Sequence, residues 1–307
     1  GFLKGFLASW ESFLGTKADV SLELTGGEPF LYRGKIIARI CEEYLALPFV
    51  KHLSISTNLT NEREIFEFLN SRLPVSLCTS YDYNLRFRNS EVERKWFNTY
   101  LKIKEKGEEP EVEIVITKPF IAHADEVFET FNSYEIRKVS FTYLFPSGRG
   151  YDVFSKYSVP LSKVSDFLIE TVKNNRSFRE YITSSFYSIK TNFASKFPYG
   201  FCLDKFHVKF DGKLYPGEEC TNIVPLSIDD PFNRNWWEVF LRKYMITPFL
   251  YSERCLNCEY LDFCCGGCSY YESYLKQTGR LAWIQDECSG LKSFLDHLFS
   301  DGREQRL

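Results

Sequence analysis

The sequence predicts an α/β protein, with a parallel sheet and covering helices followed by a smaller cysteine-rich region. Two observations lead to this prediction. From residue 19 to about 175, β-rich runs alternate with helical patterns; after that the alternation stops and most of the ten cysteines appear. Short connections between strands and helices imply right-handed βαβ crossovers. These rules leave a barrel-like sheet and a doubly wound sheet both open.

The individual elements follow from the spacing of the apolar residues. An amphipathic helix comes first, because apolar residues between Phe2 and Leu14 recur at helical spacing. The predicted strands are ADVSLELT, VKHLSIST, LPVSLCTS, EVEIVITK and RKVSFTYLF. The predicted helices between them are KIIARICEEYLAL, NEREIFEFLNSR, EVERKWFNTYLKIKEK and HADEVFETFNSY.

The region after residue 175 has a different organisation. A polar and aromatic stretch comes first, and it predicts a domain boundary near residue 185, with one domain over residues 1–185 and another over 186–307. HVKFDGKLY then predicts a β-hairpin with Asp211 and Gly212 in a type I′ turn, because Asp-Gly tolerates the positive φ angles of that turn. GLKSFLDHLF predicts a closing helix.

Composition and charge exclude several classes of function. A chain of 307 residues with 44% hydrophobic content can bury the core of one large domain and a smaller one. The net charge of −3 provides no strong field for nucleic acid or an anionic membrane. The sequence contains no run of about 18 apolar residues, which argues against a transmembrane helix. Ten cysteines without a secretion signal predict a reducing, cytoplasmic location.

A group of cysteines near the C-terminus has the spacing of a metal centre. Gaps of two, five and three residues separate Cys255, Cys258, Cys264 and Cys268, and Cys288 follows. Thiolates are the preferred ligands of iron–sulfur clusters and of structural zinc, and Cys-x-x-Cys lets two sulfurs bind one metal. A disulfide framework fits poorly, because Cys264 is followed directly by another cysteine and the chain does not resemble a small secreted scaffold.

The segment Thr25-Gly26-Gly27-Glu28-Pro29 connects a predicted strand to a predicted helix. The carboxyl ends of the strands form the ligand face of a parallel α/β fold. Two glycines at that place let the backbone approach a ligand, and Glu28 supplies a carboxylate for an ammonium group. An ordinary βα turn with a capping carboxylate is the alternative, and the short motif by itself leaves both open.

TGGEP and the cysteine-rich tail together resemble the radical S-adenosylmethionine (SAM) superfamily, in particular its members with a C-terminal SPASM domain. Cys202 is followed after nine residues by Gly212, the run from Cys255 to Cys268 matches the family spacing, and Cys288 corresponds to the last family cysteine. The resemblance covers about residues 19 to 290. It implies an α/β fold in which a partial (β/α)6 TIM-like barrel precedes a small cysteine-rich α+β SPASM-like domain.

The resemblance also implies two auxiliary clusters of the [4Fe–4S] type. It assigns the outer cluster to Cys255, Cys258, Cys264 and Cys288, and the inner cluster to Cys202, Cys220 and Cys268. One departure concerns position 217, where the family has a cysteine and this chain has Gly217. Cys220 substitutes for it or matches a third family cysteine. Alternatively, Cys265 is recruited, the inner cluster keeps an open iron site that binds substrate, or the inner cluster is smaller.

In the barrel, the resemblance implies a SAM site at the ends of three strands. Gly26, Gly27 and Glu28 match the motif that holds the methionyl amino group of SAM. The next strand ends in Ser56, Thr57 and Asn58, where the family often has polar residues facing SAM. Ser80 and Asp82 end the following strand and are expected near the ribose or the carboxylate of SAM. Capping of the strand ends is the alternative for these polar residues.

Two cysteines outside the tail are not expected to carry chemistry. Cys41 lies on the apolar face of a predicted helix and Cys78 lies in a predicted strand, so both are predicted to be buried packing residues. Arg149, in the loop after FTYLF, is expected either to pair with a ligand carboxylate or to form a surface salt bridge.

The superfamily motif Cys-x3-Cys-x2-Cys, which holds the SAM-binding cluster, does not occur in these residues. The chain begins at Gly1 and its only methionine is Met245. We therefore expect the first strand and the cluster loop to lie upstream of Gly1. A naturally degenerate relative without catalysis is the alternative.

The function implied by the resemblance is that of an oxidoreductase or peptide-modifying radical SAM enzyme. Such an enzyme generates a 5′-deoxyadenosyl radical that abstracts hydrogen, with auxiliary clusters for electron transfer or substrate binding. The implied partners are a peptide or protein substrate and a reductant such as flavodoxin or ferredoxin. Two other classes stay open: a degenerate SAM-fold binding or regulatory protein, and a protein whose cysteines hold structural zinc.

Overall fold

The computed structural model describes residues 2–15, 17, 19–85, 87, 90–144, 146, 150–174, 206–209, 211–216, 225–246, 257–260, 277–279 and 292–300. The chain divides into two compact units. The first, called the barrel unit here, contains Ala18–Leu144 and Asn175–Ile182. The second unit contains Gly1–Lys17, Phe145–Asn174 and Thr183–Leu307.

The barrel unit is a parallel sheet whose strands alternate with helices. Its strands are β1 Val20–Leu24, β2 Val50–Ser56, β3 Ser76–Tyr81, β4 Glu111–Ile116 and β5 Val139–Tyr143. Its helices are α2 Gly34–Leu45, α3 Glu62–Leu69, α4 Ser90–Glu105, α5 Lys118–Ala122 and α6 Ala124–Ser133, and a short 3₁₀ turn spans Pro29–Leu31. Each predicted strand and helix of this region is present, with ends that shift by a few residues.

The order of the strands decides between the two predicted sheet types. The strands lie side by side as β1-β2-β3-β4-β5, the same order as in the chain, and each neighbouring pair is parallel. A doubly wound sheet reverses its strand order at a switch point, whereas a barrel does not. The five strands form a curled half-barrel, which confirms the predicted partial TIM-like barrel.

One face of the sheet is apolar and packs beneath the helices. Along β3 buried residues alternate with more accessible ones, as expected when only one face is covered. The core of this unit includes Leu53, Ile55, Tyr81, Trp96, Phe97, Tyr100, Val112, Ile114 and Phe131. Aromatic rings pack edge-to-face here, for example Tyr81 on Phe131 with ring centroids 5.0 Å apart.

Gly34 allows a close contact between α2 and α3. A Cβ atom at this position would lie 2.2 Å from the Glu64 carbonyl oxygen and 2.7 Å from the Phe68 nitrogen. The Gly34 amide also donates a 2.8 Å hydrogen bond to Oε2 of Glu64. These contacts place the start of α2, and so they anchor the end of the loop that follows β1.

In the second unit, α1 Phe2–Leu14 packs against residues from the C-terminal third of the chain. The Phe6 ring lies 4.8 Å from Phe206 and 5.3 Å from Trp237, measured between centroids. The Trp10 ring lies 5.9 Å from Phe240. The predicted amphipathic helix is thus present, and its apolar face contributes to an aromatic core in this unit.

Among the described residues, the other elements of the second unit are two helices that follow the barrel strands, a small antiparallel sheet and two later helices. They are α7 Gly150–Tyr157, α8 Leu161–Asn174, β6 Phe206–Val208, β7 Lys213–Pro216, β8 Leu226–Ser227, α9 Arg234–Ile246 and α10 Lys292–Ser300. The sheet has the order β6-β7-β8, and α8 packs against α10. The described part of the C-terminal region therefore has α+β character. The predicted boundary near residue 185 lies outside the described residues and stays a prediction.

The β6–β7 hairpin is present, but its predicted turn type is wrong. Val208 pairs with Leu214, and the Lys209 amide donates to the Lys213 carbonyl at 3.0 Å, which leaves three residues in the loop instead of two. Gly212 takes a φ of +69°. A three-residue loop with glycine in the left-handed region is the next most common hairpin connection after the two-residue turns. The Asp211 side chain stabilises this loop by accepting from the Lys213 amide at 3.1 Å.

No helix in the described parts of the chain is both long enough and apolar enough to cross a membrane.

Candidate functional site

The carboxyl ends of β1, β2 and β3 bring the predicted SAM-site residues to one edge of the sheet. Leu24 of β1 pairs with Ile55 of β2, and Ser56 of β2 pairs with Cys78 of β3. Because the strands are parallel and adjacent, the residues at and after their ends share this edge. They are Gly26, Gly27, Glu28, Ser56, Asn58, Ser80 and Asp82.

The glycine turn after β1 exposes its backbone. Gly26 has a φ of +90° and Gly27 a φ of +66°, conformations that L side chains rarely adopt. Both residues are exposed, and a Cβ atom built on either one meets no other atom within 4 Å. The space in front of the turn is therefore open among the described residues, and backbone amides and carbonyls there are available to a ligand.

Glu28 is turned back into the protein and is only 8% exposed. Its Oε1 atom accepts hydrogen bonds from the Phe30 amide at 3.0 Å and from the Thr57 hydroxyl at 2.8 Å. Its Oε2 atom accepts from the Asn58 amide at 2.6 Å. The carboxylate thus caps the 3₁₀ turn at Pro29–Leu31, which confirms the capping role. A carboxylate has about four acceptor positions, and three donors among the described residues occupy two on Oε1 and one on Oε2.

The loop after β2 has a strained and tightly bonded backbone. Leu59 is 1% exposed and has a φ of +57°, which is uncommon for a residue with a side chain. Its amide donates to the Thr57 hydroxyl at 3.2 Å. The Asn58 side-chain oxygen accepts from the Thr60 amide at 2.9 Å. Asn61 donates to the Phe30 carbonyl at 2.7 Å, so three hydrogen bonds join the loops after β1 and β2.

At β3, Ser80 is half-buried and Asp82 begins a turn in which its carbonyl accepts from the Leu85 amide at 3.1 Å. The intervening Tyr81 points to the opposite face, where it is buried and its hydroxyl donates to Glu93. Burial and the Glu93 carboxylate raise the pKa of Tyr81. Ser80 therefore lies on the face of the sheet opposite to Tyr81, called the open face here, while Asp82 follows the strand and its Oδ1 atom is buried.

Sequence reasoning missed the acidic residues of this open face. The Ser56 hydroxyl donates to Oε1 of Glu23 at 2.5 Å, and Cys78 and Ser80 pair with Glu111 and Glu113 on β4. The signal was present, because Glu23 stands between two leucines in SLELT and because Glu111 and Glu113 alternate with apolar residues in EVEIVITK. Alternation of this kind in a strand puts the glutamates on one face.

The open face also holds Cys78, which the sequence predicted to be a buried packing residue. Cys41 is fully buried, as expected, but Cys78 is only partly buried. Burial, together with the carboxylates of Glu111, Glu23 and Glu113, raises the pKa of the Cys78 thiol to about 12. The prediction was wrong for Cys78, because only one face of this strand is buried in the core and Cys78 lies on the other face.

Of the predicted cluster ligands, the described residues include Cys258, which is half-buried and has a free thiol. No group of three or more histidine, cysteine or acidic side chains is placed to hold a metal in the described ranges. The other predicted ligands, Cys202, Cys220, Cys255, Cys264, Cys268 and Cys288, lie outside the described residues, and so do Cys265 and Arg149. The cluster assignments stay predictions.

Solved structures share this fold. Native anSMEcpe with bound AdoMet and Kp18Cys peptide matches with a TM-score of 0.63 and 17% identity over 92% of this chain and 88% of that one. Streptococcus suis SuiB bound to precursor peptide SuiA matches with a TM-score of 0.57 and 18% identity over 86% of this chain and 65% of that one. No family model and no curated protein matches the sequence.

Both anSMEcpe and SuiB are radical SAM enzymes. The chain therefore has the fold of radical SAM enzymes, as its sequence motifs predicted. At these identities the similarity is one of fold, and the chemistry of this chain has to be argued from its own residues.

Proposed function

We propose that this protein is a radical SAM enzyme that binds SAM at the edge formed by the ends of β1, β2 and β3. The observation that carries the proposal is the open Gly26–Gly27 turn, which Glu28 ties to the end of the neighbouring strand. A small polar ligand at this edge meets a backbone that is already held in place. Preorganisation of this kind lowers the entropy cost of binding.

The residues at this edge fit the polar groups of SAM. The amino group of SAM has N–H donors, and the backbone carbonyls of the glycine turn and the open position on Oε2 of Glu28 would accept them. Ser56 and Asn58 would contact the methionyl part. Ser80 and Asp82 would accept from the ribose hydroxyls, or Ser80 would donate to the carboxylate of SAM.

SAM and its cluster, when bound, would supply hydrogen-abstracting radical chemistry. The task of the chain's own residues is to orient the substrate and to exclude water. On the open face of the half-barrel, the carboxylates of Glu23 and Glu113 would accept hydrogen bonds from a substrate beside the proposed SAM site. These side chains would fix the position of the C–H bond that reacts.

We further propose that the C-terminal cysteines hold auxiliary [4Fe–4S] clusters in a SPASM-like domain. Their spacing supports this, with Cys255, Cys258, Cys264 and Cys288 around one cluster and Cys202, Cys220 and Cys268 around the other. Iron and sulfide analysis with absorbance near 400 nm, on protein purified without oxygen, tests this part. A colourless protein with stoichiometric zinc would contradict it and support structural zinc.

The proposed substrate is a peptide or protein side chain. The structures of anSMEcpe with Kp18Cys peptide and of SuiB with precursor peptide SuiA both contain peptides, which supports this class. A flavodoxin or ferredoxin would deliver the electrons, and we propose a cytoplasmic location, where such reductants and free thiols coexist.

SAM binding and cleavage test the proposal directly. Protein expressed from its complete gene, kept free of oxygen and reduced with dithionite, is expected to convert SAM to methionine and 5′-deoxyadenosine. Gly26→Ala and Gly27→Ala should weaken SAM binding at least about tenfold, because each Cβ enters the proposed ligand space and strains a positive φ.

Gly107→Ala is the matched control for these variants. Gly107 is also exposed, has a φ of +88° and has open space at its Cβ position, but it follows α4 at the other edge of the sheet. Its replacement carries the same backbone strain and should leave SAM binding unchanged. Binding of SAM without cleavage would support a degenerate binding protein, and no binding at all would contradict the proposed function.

A further inference from the structure

We propose that Thr57 is a positioning residue for the SAM amino-group site, acting through the Glu28 carboxylate. This inference rests on the proposed function and extends it to a side chain that does not reach the ligand. Thr57 directly follows β2 and is 5% exposed, so its hydroxyl is enclosed by protein. A buried hydroxyl requires hydrogen-bond partners, and the identity of those partners indicates its role.

The Thr57 hydroxyl makes two hydrogen bonds, one as a donor and one as an acceptor. It donates to Oε1 of Glu28 at 2.8 Å and accepts from the Leu59 amide at 3.2 Å. The Thr57 amide donates to the Cys78 carbonyl at 2.9 Å, which fixes the threonine backbone to β3. The hydroxyl therefore has a fixed position and a fixed donor direction, both set by the sheet.

The first of these bonds determines the orientation of the Glu28 carboxylate. Oε1 receives two donors, the Phe30 amide and the Thr57 hydroxyl, while Oε2 receives one, the Asn58 amide. This pattern leaves the open acceptor position on Oε2. Without the Thr57 hydroxyl, Oε1 keeps the Phe30 amide as its donor and Oε2 keeps the Asn58 amide, so the carboxylate and its open acceptor position are held less firmly.

The second bond stabilises the strained turn that supplies the Asn58 amide. Leu59 holds a left-handed φ of +57° with a buried side chain, a conformation that persists only when its surroundings enforce it. The Thr57 hydroxyl accepts a hydrogen bond from the Leu59 amide and is one of the groups that hold Leu59 in this conformation. Loss of the hydroxyl would thus affect both oxygens of Glu28, Oε1 directly and Oε2 through the Asn58 amide.

The experiment compares SAM binding by variants that separate the hydroxyl from the shape of Thr57. Equilibrium dialysis with radiolabelled SAM measures Kd on protein expressed from the complete gene. Thr57→Val keeps the shape and removes the hydroxyl, and we expect Kd to rise about tenfold, the value of one hydrogen bond to a charged group. Thr57→Ser restores the hydroxyl and should bind SAM within about twofold of the wild type.

Thr79→Val is the control for a general loss of stability. Thr79 lies in β3, is 3% exposed and accepts a 3.0 Å hydrogen bond from the Trp96 indole. Its replacement also removes a buried hydroxyl from this sheet, but it does not touch Glu28. We expect Thr79→Val to lower the unfolding temperature as Thr57→Val does and to leave the Kd for SAM unchanged.

A double variant tests whether Thr57 acts through Glu28. In a Glu28→Ala background the added Thr57→Val change should alter Kd by less than about twofold, because the carboxylate that it positions is gone. A full effect in that background would overturn the inference, and so would an equal effect of Thr79→Val. If the wild type binds SAM and Thr57→Val binds it equally well, the inference falls and the proposed function stands. If the wild type binds no SAM, both fall.

Discussion

The backbone amide of Asn58 donates a 2.6 Å hydrogen bond to Oε2 of Glu28 and so joins the loop after β2 to the turn after β1. Hydrogen bonds to a carboxylate are among the strongest in proteins. The Thr57 hydroxyl and the bond from Asn61 to the Phe30 carbonyl add to this connection. The loops at the carboxyl ends of β1 and β2 therefore form one surface that is already assembled before a ligand binds.

The contact between α2 and α3 leads to a prediction for stability. Gly34→Ala should lower the free energy of unfolding of the barrel unit by about 2 to 3 kcal/mol, because the new Cβ would lie 2.2 Å from the Glu64 backbone oxygen and the helices would have to separate. Urea denaturation followed by circular dichroism measures this. Gly107→Ala, which meets no atom, should cost only about 1 kcal/mol. Equal losses for the two variants would contradict the close contact at Gly34.

The open face of the sheet leads to a prediction for thiol chemistry. Burial and three glutamates raise the pKa of Cys78 from 9.0 to about 12, which keeps the thiol protonated. Iodoacetamide reacts with the thiolate, so Cys78 at pH 8 should be alkylated at least about tenfold more slowly in the folded protein than in urea. Peptide mass spectrometry measures the rate at each cysteine.

Glu111→Gln should speed the alkylation of Cys78, because it removes one of the charges that oppose the thiolate. Cys41, whose pKa is raised to about 11 by its own burial and by Glu42, should keep its rate and serves as the internal control. The same rise in the pKa of Cys78 makes the stability of the protein depend on pH. The folded protein binds this proton more tightly than the unfolded one, so the contribution of Cys78 to stability falls as the pH rises from about 9 to 12.

The aromatic core of the second unit leads to a prediction for α1. Phe6→Ala should lower the free energy of unfolding of this unit by about 3 kcal/mol, since a buried ring in contact with Phe206 and Trp237 is removed. Lys4→Ala, at an exposed position of the same helix, should have little effect. Urea denaturation of both variants measures the difference, and a similar loss for the two would argue against the packing of α1 in this core.

Much of the barrel could be predicted because its signals are local. Strands such as EVEIVITK and helices such as NEREIFEFLNSR are recognisable from apolar periodicity within a few residues, and the observed elements lie where that periodicity placed them. The hairpin at Asp211 and Gly212 was predicted too, but its loop has three residues instead of two. Loop length depends on the register between two strands, which a dipeptide does not specify.

The site was predicted in its location and only partly in its chemistry. TGGEP placed Glu28 at a strand end, yet both the capping and the ligand role were open. The structure shows the capping role, since three donors meet the carboxylate. The glutamates of the open face and the positioning role proposed for Thr57 were missed, because they depend on which strands are neighbours.

The sequence by itself determined the alternation of strands and helices, the glycine turn at the end of β1 and the cysteine spacing that predicts the cluster domain. Each of these is a pattern within a short stretch of chain. Only the tertiary structure decided that the sheet winds in one direction, that Glu28 is bound by Thr57 and Asn58, and that α1 packs with Trp237. These relationships join residues that are far apart in the chain, and their existence depends on strand order and register.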